Sequence, residues 1–295
     1  MRRLLLVFIF ASSAAMAQHS GPYVTMPTHR GTSSTIHHMA HLGAATVFVA
    51  PEYRLRHSHE IGKSQVHAHA QAQAQILGKA TESLFSALPS TPYKQTANFQ
   101  PMGAPISVNF EAQGVGTPSF VIAGAPPDTT LGVSDTQIVQ WVNTQIAVYD
   151  KAGNPLLPGT GFINGNAIWA ALGATSLCAT TNRGDPLVQY DRMADRWILS
   201  QFAFNAAFSN NSQCIAVSQT SNALGAYNLY EYNFGTQLPD FGKLGVWPDA
   251  YYITYNMFNN GANFSGGRAC AYDRTQMLSG LPASQICFNS TSRFS

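Results

Sequence analysis

Charge is scarce in this sequence, and histidine is confined to its first quarter. Only 10% of the 295 residues are charged, and none of the nine histidines lies beyond His69. A Ser-His-Asp triad drawn from the remaining chain is therefore excluded as an expectation. Also missing are a Gly-x-Ser-x-Gly elbow, a glycine-rich phosphate loop, a Cys-x-x-Cys pair, an EF-hand loop and a His-Glu-x-x-His motif. With them go the sequence arguments for a serine hydrolase, a nucleotide enzyme, a zinc or calcium protein and a metalloprotease. No segment beyond the first twenty residues is apolar for long enough to span a bilayer. Nothing calls for a cofactor.

The opening residues read as an export signal. Arg2 and Arg3 precede the apolar run from Leu4 to Ala11, and Ala15-Met16-Ala17 offers the small residues of a cleavage site. The apolar run is too short for a membrane anchor, so cleavage after Ala17 is expected, in a secreted or periplasmic protein. Removing Arg2 and Arg3 takes Lys+Arg from 16 to 14, equal to Asp+Glu 14. A neutral chain argues against nucleic acid or anionic lipid as a partner.

Export also decides how the four cysteines are read. Cys178, Cys214, Cys270 and Cys287 form an even set in an oxidising compartment, so disulfides are expected rather than metal ligation. Three pairings exist. Cys178 with Cys214 and Cys270 with Cys287 are favoured, because each closes a short loop.

What the sequence does contain divides it into four parts. Residues 1–17 are the signal. Residues 18–92 hold every histidine and the Ala/Gln alternation from His69 to Gln75, and read as a low-complexity, solvated leader. Ile76, Leu77, Ala80, Leu84 and Leu88 recur at helical spacing, which predicts a helix from about Glu60 to Leu88, stopped by Pro89. His37 and His41 stand where they could share a helical face, but no single secondary structure unites them with His57/His59 and His67/His69, so no metal site is assigned. Residues 93–126 read as connecting strands, among them Ile106 to Phe110 and Phe120 to Ile122. Residues 127–295, with many of the chain's 24 glycines and 16 prolines at turns, read as all-β repeats.

Two repetitions support that. Leu131 to Asn143 matches Leu244 to Asn256, sharing Leu-Gly-Val at one end, asparagine at the other and apolar character between. The triplets Tyr149-Asp150-Lys151, Tyr190-Asp191-Arg192 and Tyr272-Asp273-Arg274 are spaced by 190 minus 149, or 41, and by 272 minus 190, or 82. A strand-built period near ~40–50 residues is that of a four-stranded propeller blade. Roughly four such repeats fit after Pro127 if the last is incomplete, which leaves a strand edge to be covered.

In Tyr190-Asp191-Arg192-Met193-Ala194-Asp195-Arg196-Trp197 a tyrosine ends one strand and a tryptophan opens the next. This resembles the Tyr-Asp…Trp hairpin of kelch-type propeller blades, over residues 127 to 280. With Gly184-Asp185-Pro186 leading into it, the segment also resembles secreted propeller-like proteins of bacteria. The resemblance implies a β-propeller-like fold and no particular activity.

Candidate ligand residues follow from chemistry alone. Trp247-Pro248-Asp249 with Tyr251 sets an aromatic beside a carboxylate, as a sugar's apolar face and hydroxyl edge require, and Asp185 joins them as a carboxylate at a turn. Trp141, Trp169 and Trp197 are expected to fill the spaces between repeats. Asp135, Asp191, Asp195, Glu231 and Asp273 have an ordinary role available as turn caps, and no catalytic residue is assigned. Three functions stay open: binding or adhesion to extracellular carbohydrate or another surface component, hydrolysis or lysis of polysaccharide by a carboxylate pair, and a structural envelope role.

Overall fold

The computed structural model describes residues 22–42, 108–114, 117, 120 and 127–291. The N-terminal stretch contributes β1 (Tyr23–Thr25), β2 (His29–Thr32) and helix α1 (Ile36–Leu42). Three meanders follow, each of four strands consecutive in the chain. The first is β3 (Thr130–Val133), β4 (Gln137–Val142), β5 (Gln145–Asp150) and β6 (Phe162–Asn164). After a 3-10 helix (Gly165–Leu172) and helix α2 (Leu177–Thr180) come β7 (Leu187–Asp191), β8 (Arg196–Phe204), β9 (Asn211–Ser218) and β10 (Tyr227–Gly235). The third is β11 (Gln237–Val246), β12 (Ala250–Asn259), β13 (Asn263–Asp273) and β14 (Gln285–Ser290), with α3 (Arg274–Leu278) before its last strand. All pairings are antiparallel, and none of the three sheets closes into a barrel.

The middle sheet is covered on both faces, and its sequence shows why. Trp197, Leu199, Cys214, Ala216 and Leu229 belong to one apolar cluster, shared with β4 and β5 of the first sheet. Their neighbours in the chain, Ile198, Ile215, Val217 and Tyr230, belong to another, shared with β12 and β13 of the third. Successive side chains on a strand point to opposite faces, so a sheet buried twice needs continuous apolar runs. In β12 only one parity is needed: Tyr251, Ile253, Tyr255 and Met257 face inward, while Tyr252 is exposed. The tryptophan expectation holds for Trp141, Trp169 and Trp197, all fully buried.

Residues of the expected leader help to complete this body. β1 pairs with β14, and β2 pairs with β10, so N-terminal strands lie on the last strands of the third and second sheets. This corrects the reading of residues 18–92 as solvated leader wherever they are described. Pairing satisfies strand N–H and C=O groups that a bare edge would leave open, and it answers the need to cover β14. In the expected connecting region, residues 108–114 form no strand; Phe110 and Phe120 pack on Tyr149 and Phe162 of the first sheet instead. The signal at residues 1–17, the helix from Glu60 to Leu88, and His19, His57, His59, His67 and His69 lie outside the described residues.

The 41-residue spacing does not mark equivalent strands. Tyr149 and Tyr272 are the last residue but one of β5 and β13, each the third strand of its meander, whereas Tyr190 is the last but one of β7, a first strand. The aspartates of the triplets have a local role in common. Asp150 and Asp191 accept N–H groups of the turns that follow them, and Asp273 caps α3. The first strands β3, β7 and β11 begin at Thr130, Leu187 and Gln237, so the meanders start unevenly, 187 minus 130, or 57, and 237 minus 187, or 50, residues apart. The thirteen-residue match is the pair formed by first and second strands in the outer two meanders.

Both favoured disulfides are present, Cys178–Cys214 and Cys270–Cys287, which suits an oxidising extracellular or periplasmic setting. The first pins α2 to β9; the second joins directly opposite residues of β13 and β14. Among the described residues no helix is long and apolar enough to cross a membrane.

The three first strands approach one another closely. Val188 N–H donates to Thr130 Oγ1 (3.4 Å), tying β7 to β3, and Gln189 Nε2 donates to the Leu244 carbonyl (2.7 Å), tying β7 to β11. Gly132 permits the first contact, since a Cβ there would stand 2.9 Å from Val188 Cγ1 and 3.1 Å from the buried Trp197 ring. Gly132→Ala is expected to cost about 1–3 kcal/mol by overpacking, read as a lower denaturation midpoint; an unchanged midpoint would mean that β3 can move away from β7 freely.

Candidate functional site

Between the starts of β3 and β7 and the middle of β11 lies an open pocket of about 330 Å³, lined among others by Asp128, Thr129, Thr130, Asp185, Phe241 and Lys243. A residue with left-handed backbone stands just before β3, Asp128 (φ 41°), and just before β7, Asp185 (φ 46°), whereas in the third meander it is Phe241 (φ 54°), inside β11. Aspartate tolerates that conformation, while a bulky aromatic is strained in it. In β11 the pairing with β12 slips between Asp240 and Lys243, so the positive-φ site falls one residue after the aspartate.

Three carboxylates meet here. Asp185 is hydrogen-bonded to the Asp240 carboxyl and to the Phe241 backbone, with Asp128 close enough to act on its charge. Desolvation, then the charges of Asp240 and Asp128 and the bond to Asp240, push the Asp185 carboxyl up to about 8. The shift favours a proton shared within the Asp185–Asp240 pair, which lets one carboxyl donate a hydrogen bond to the other. Lys243 adds a cation, its Nζ 3.2 Å from the centroid of the Phe241 ring and donating to the Gly242 carbonyl at 3.2 Å. Burial lowers the lysine's proton affinity, and Asp185, Asp240 and Asp128 act in the opposite sense. Among the described residues, no group of three or more His, Cys, Asp or Glu side chains is arranged to hold a metal ion.

Of the four residues named from sequence, only Asp185 belongs to this pocket. Trp247 and Asp249 occupy the hairpin joining β11 to β12 and do not line the pocket. Trp247 is exposed (66%), and Asp249 accepts a hydrogen bond from the Tyr252 hydroxyl at 2.7 Å. Tyr251 is wholly buried and its hydroxyl donates to Asp191 Oδ2 at 3.0 Å, so it serves the packing between the second and third sheets and offers no ligand surface.

No protein-family model, curated protein or solved structure matches this chain. The site must therefore be read from its own geometry.

Asp128, Asp240, Phe241 and Lys243 escaped the sequence reading. A signal for two of them was present: Pro127-Asp128 precedes Leu131-Gly132-Val133, and Pro239-Asp240 precedes Leu244-Gly245-Val246. The spacing is one residue longer in the second, where β11 slips against β12, and that insertion breaks an ungapped match.

Proposed function

We propose that this chain is an exported carbohydrate-binding protein of β-propeller type, with its ligand in the pocket between the starts of β3 and β7 and the middle of β11. The observation that carries this reading is an open pocket bordered by Asp128 and Asp185, which stand just before β3 and β7, with Asp240 of β11 hydrogen-bonded to Asp185. The protonated Asp185–Asp240 pair, the Asp128 carboxylate and the hydroxyls of Thr129 and Thr130 offer donors and acceptors for sugar hydroxyls, and the exposed Phe241 ring offers an apolar face. The propeller reading is supported by three consecutive four-stranded meanders whose first strands adjoin, and by the Tyr190–Trp197 hairpin, whose rings lie 4.8 Å apart. Export is supported by the two disulfides together with the N-terminal signal pattern.

Binding is tested on a glycan array followed by calorimetry. Asp185→Ala is expected to weaken binding about tenfold or more, the scale of one lost hydrogen bond in a desolvated site, while Trp247→Ala leaves it unchanged. Wild-type affinity should fall as pH rises through about 8, where Asp185 ceases to donate. Retention of full affinity by Asp185→Ala, with loss in Trp247→Ala, would move the ligand to the β11–β12 hairpin.

One observation favours a second reading, polysaccharide hydrolysis: a carboxyl held protonated at neutral pH is what a general acid requires. Asp240, hydrogen-bonded to Asp185, stands closer than the ~5–9.5 Å that separates glycosidase carboxyls, so the partner in that case is Asp128. Turnover of a polysaccharide that disappears in Asp128→Asn and Asp185→Asn alike would select this reading over simple binding.

A further inference from the structure

We propose that Thr175, His29 and Glu231 form a second site, separate from the acidic pocket, that hydrolyses small acyl esters. In the sequence every histidine precedes the repeats, which argues against histidine chemistry. The fold removes that obstacle: β2 pairs with β10 so that His29 stands directly opposite Glu231, 202 positions later in the chain (231 minus 29).

The three side chains meet the requirements of nucleophile, base and orienting carboxylate. His29 Nε2 lies 3.3 Å from Thr175 Oγ1, and Thr175 is exposed where a substrate could reach it. On the other side of the ring, His29 Nδ1 is 3.1 Å from Glu231 Oε2. Nδ1 is shut off from solvent and makes no well-angled hydrogen bond, so a small turn of the ring completes the relay. Hydrogen bonds of this kind commonly tighten only when substrate binds.

Glu231 is held in place more firmly than a surface carboxylate. It is 2% exposed, and it accepts hydrogen bonds from Ser176 Oγ (2.5 Å), Ser212 Oγ (2.8 Å) and Leu177 N–H (3.3 Å). Ser176 and Leu177 follow Thr175 directly, so the carboxylate anchors the nucleophile's own segment. The Cys178–Cys214 disulfide anchors it a second time, since Cys214 pairs with Glu231 across β9 and β10. The site is thereby preorganised from both ends of the relay.

In the reaction, Thr175 Oγ attacks the ester carbonyl carbon as its proton passes to His29 Nε2. The bond from that carbon to the alcohol oxygen breaks, and the alcohol leaves with the proton from Nε2. Water then attacks the acyl-threonine and gives a proton to Nε2. The bond between Oγ and the acyl carbon breaks, Oγ recovers the proton, and the carboxylic acid departs. Thr175 and His29 are catalytic residues in this scheme, and Glu231 is a positioning residue.

The disulfide-intact chain, assayed with p-nitrophenyl acetate, tests the proposal. Saturable turnover above buffer is expected. Thr175→Val and His29→Gln should each lower it by about 100-fold or more, the scale of a lost nucleophile or base, whereas Thr175→Ser retains it. A fluorophosphonate should label Thr175, found by peptide mass spectrometry, and fail to label His29→Gln. Glu231→Gln should displace the pH profile of turnover, which a merely structural loss would not. Because Thr175 is exposed, Thr175→Val keeps the wild-type unfolding transition. Absence of turnover in the wild type, or full turnover in folded Thr175→Val, overturns the proposal. The acidic pocket is untouched by these variants, so either reading can fail alone.

Discussion

Asp185→Asn will make the chain more stable at pH 8 and flatten its loss of stability between about pH 4 and 8. An aspartate in an unfolded chain titrates near ~3.9, whereas the folded Asp185 titrates at about 8. Between those values the native state holds a proton that the unfolded state has lost. Stability from this group is therefore full below about pH 4, declines as pH rises, and is gone above about 8. Each tenfold difference in proton affinity corresponds to about 1.4 kcal/mol, which sets a ceiling near ~6 kcal/mol. The pocket is open and the carboxyl is coupled to Asp240, so an effect of about 2–3 kcal/mol is the reasonable expectation. Asparagine keeps the size of the side chain, can donate to Asp240 and accept from Phe241, and carries no charge at any pH. The measurement is denaturant unfolding of both proteins at intervals from pH 5 to 9. Parallel curves for the two proteins would show that the aspartates do not share a proton in the folded state.

Asp191→Ala is expected to cost about 3–5 kcal/mol, the scale for removing one partner of a buried ion pair. Asp191 has no exposed surface. Its Oδ1 accepts the N–H groups of Met193 and Ala194, and its Oδ2 accepts the Tyr251 hydroxyl at 3.0 Å and Arg274 Nε at 2.7 Å. The β7–β8 turn, β12 and α3 are thus joined at one carboxylate. Alanine leaves the largely buried Arg274 cation and the Tyr251 hydroxyl without their acceptor. Burial works against the Asp191 carboxylate, but the Arg274 guanidinium, the turn N–H of Ala194 and the Tyr251 hydroxyl outweigh it and hold the group below the usual carboxylate range. A lowered acid stabilises the fold above its unfolded value and loses that contribution as pH falls through the folded one. The loss from Asp191→Ala should accordingly be large at pH 6 and shrink in strong acid. With Asp185 acting in the opposite sense, the two groups together place maximal stability in mildly acidic solution. A loss below about 1 kcal/mol at pH 6 would mean that the three elements are held together by apolar packing alone.

The sequence carried more of the fold than of the site. The apolar stretches Trp197–Leu199 and Cys214–Val217, and the alternation in Ala250–Asn259, report whether one face of a strand is buried or two, and they were legible as β structure. The Tyr190–Trp197 hairpin was legible because its partners are seven residues apart, and the disulfides because short loops are the easiest to close. The period was misjudged because a tyrosine at a strand end followed by a turn-capping aspartate is a local solution that first and third strands use alike. The uneven spacing of the meanders, 57 and then 50 residues between the starts of first strands, is visible only when strands are ranked by place in their sheet.

What the sequence determined by itself, then, was the scarcity of charge, the β character, the cysteine pairs and the three tryptophans of the interior. Each of these rests on composition or on partners near in the chain. Tertiary structure alone decided that β1 and β2 lie on β14 and β10, that Asp128, Asp185 and Asp240 converge, and that His29 faces Glu231. These meetings join residues tens to hundreds of positions apart, and they are selected by burial of whole sheet faces and by pairing of open strand edges. No short pattern encodes such a choice. The confinement of histidine to the first quarter of the chain was true of the sequence, yet it did not keep histidine from the folded β body.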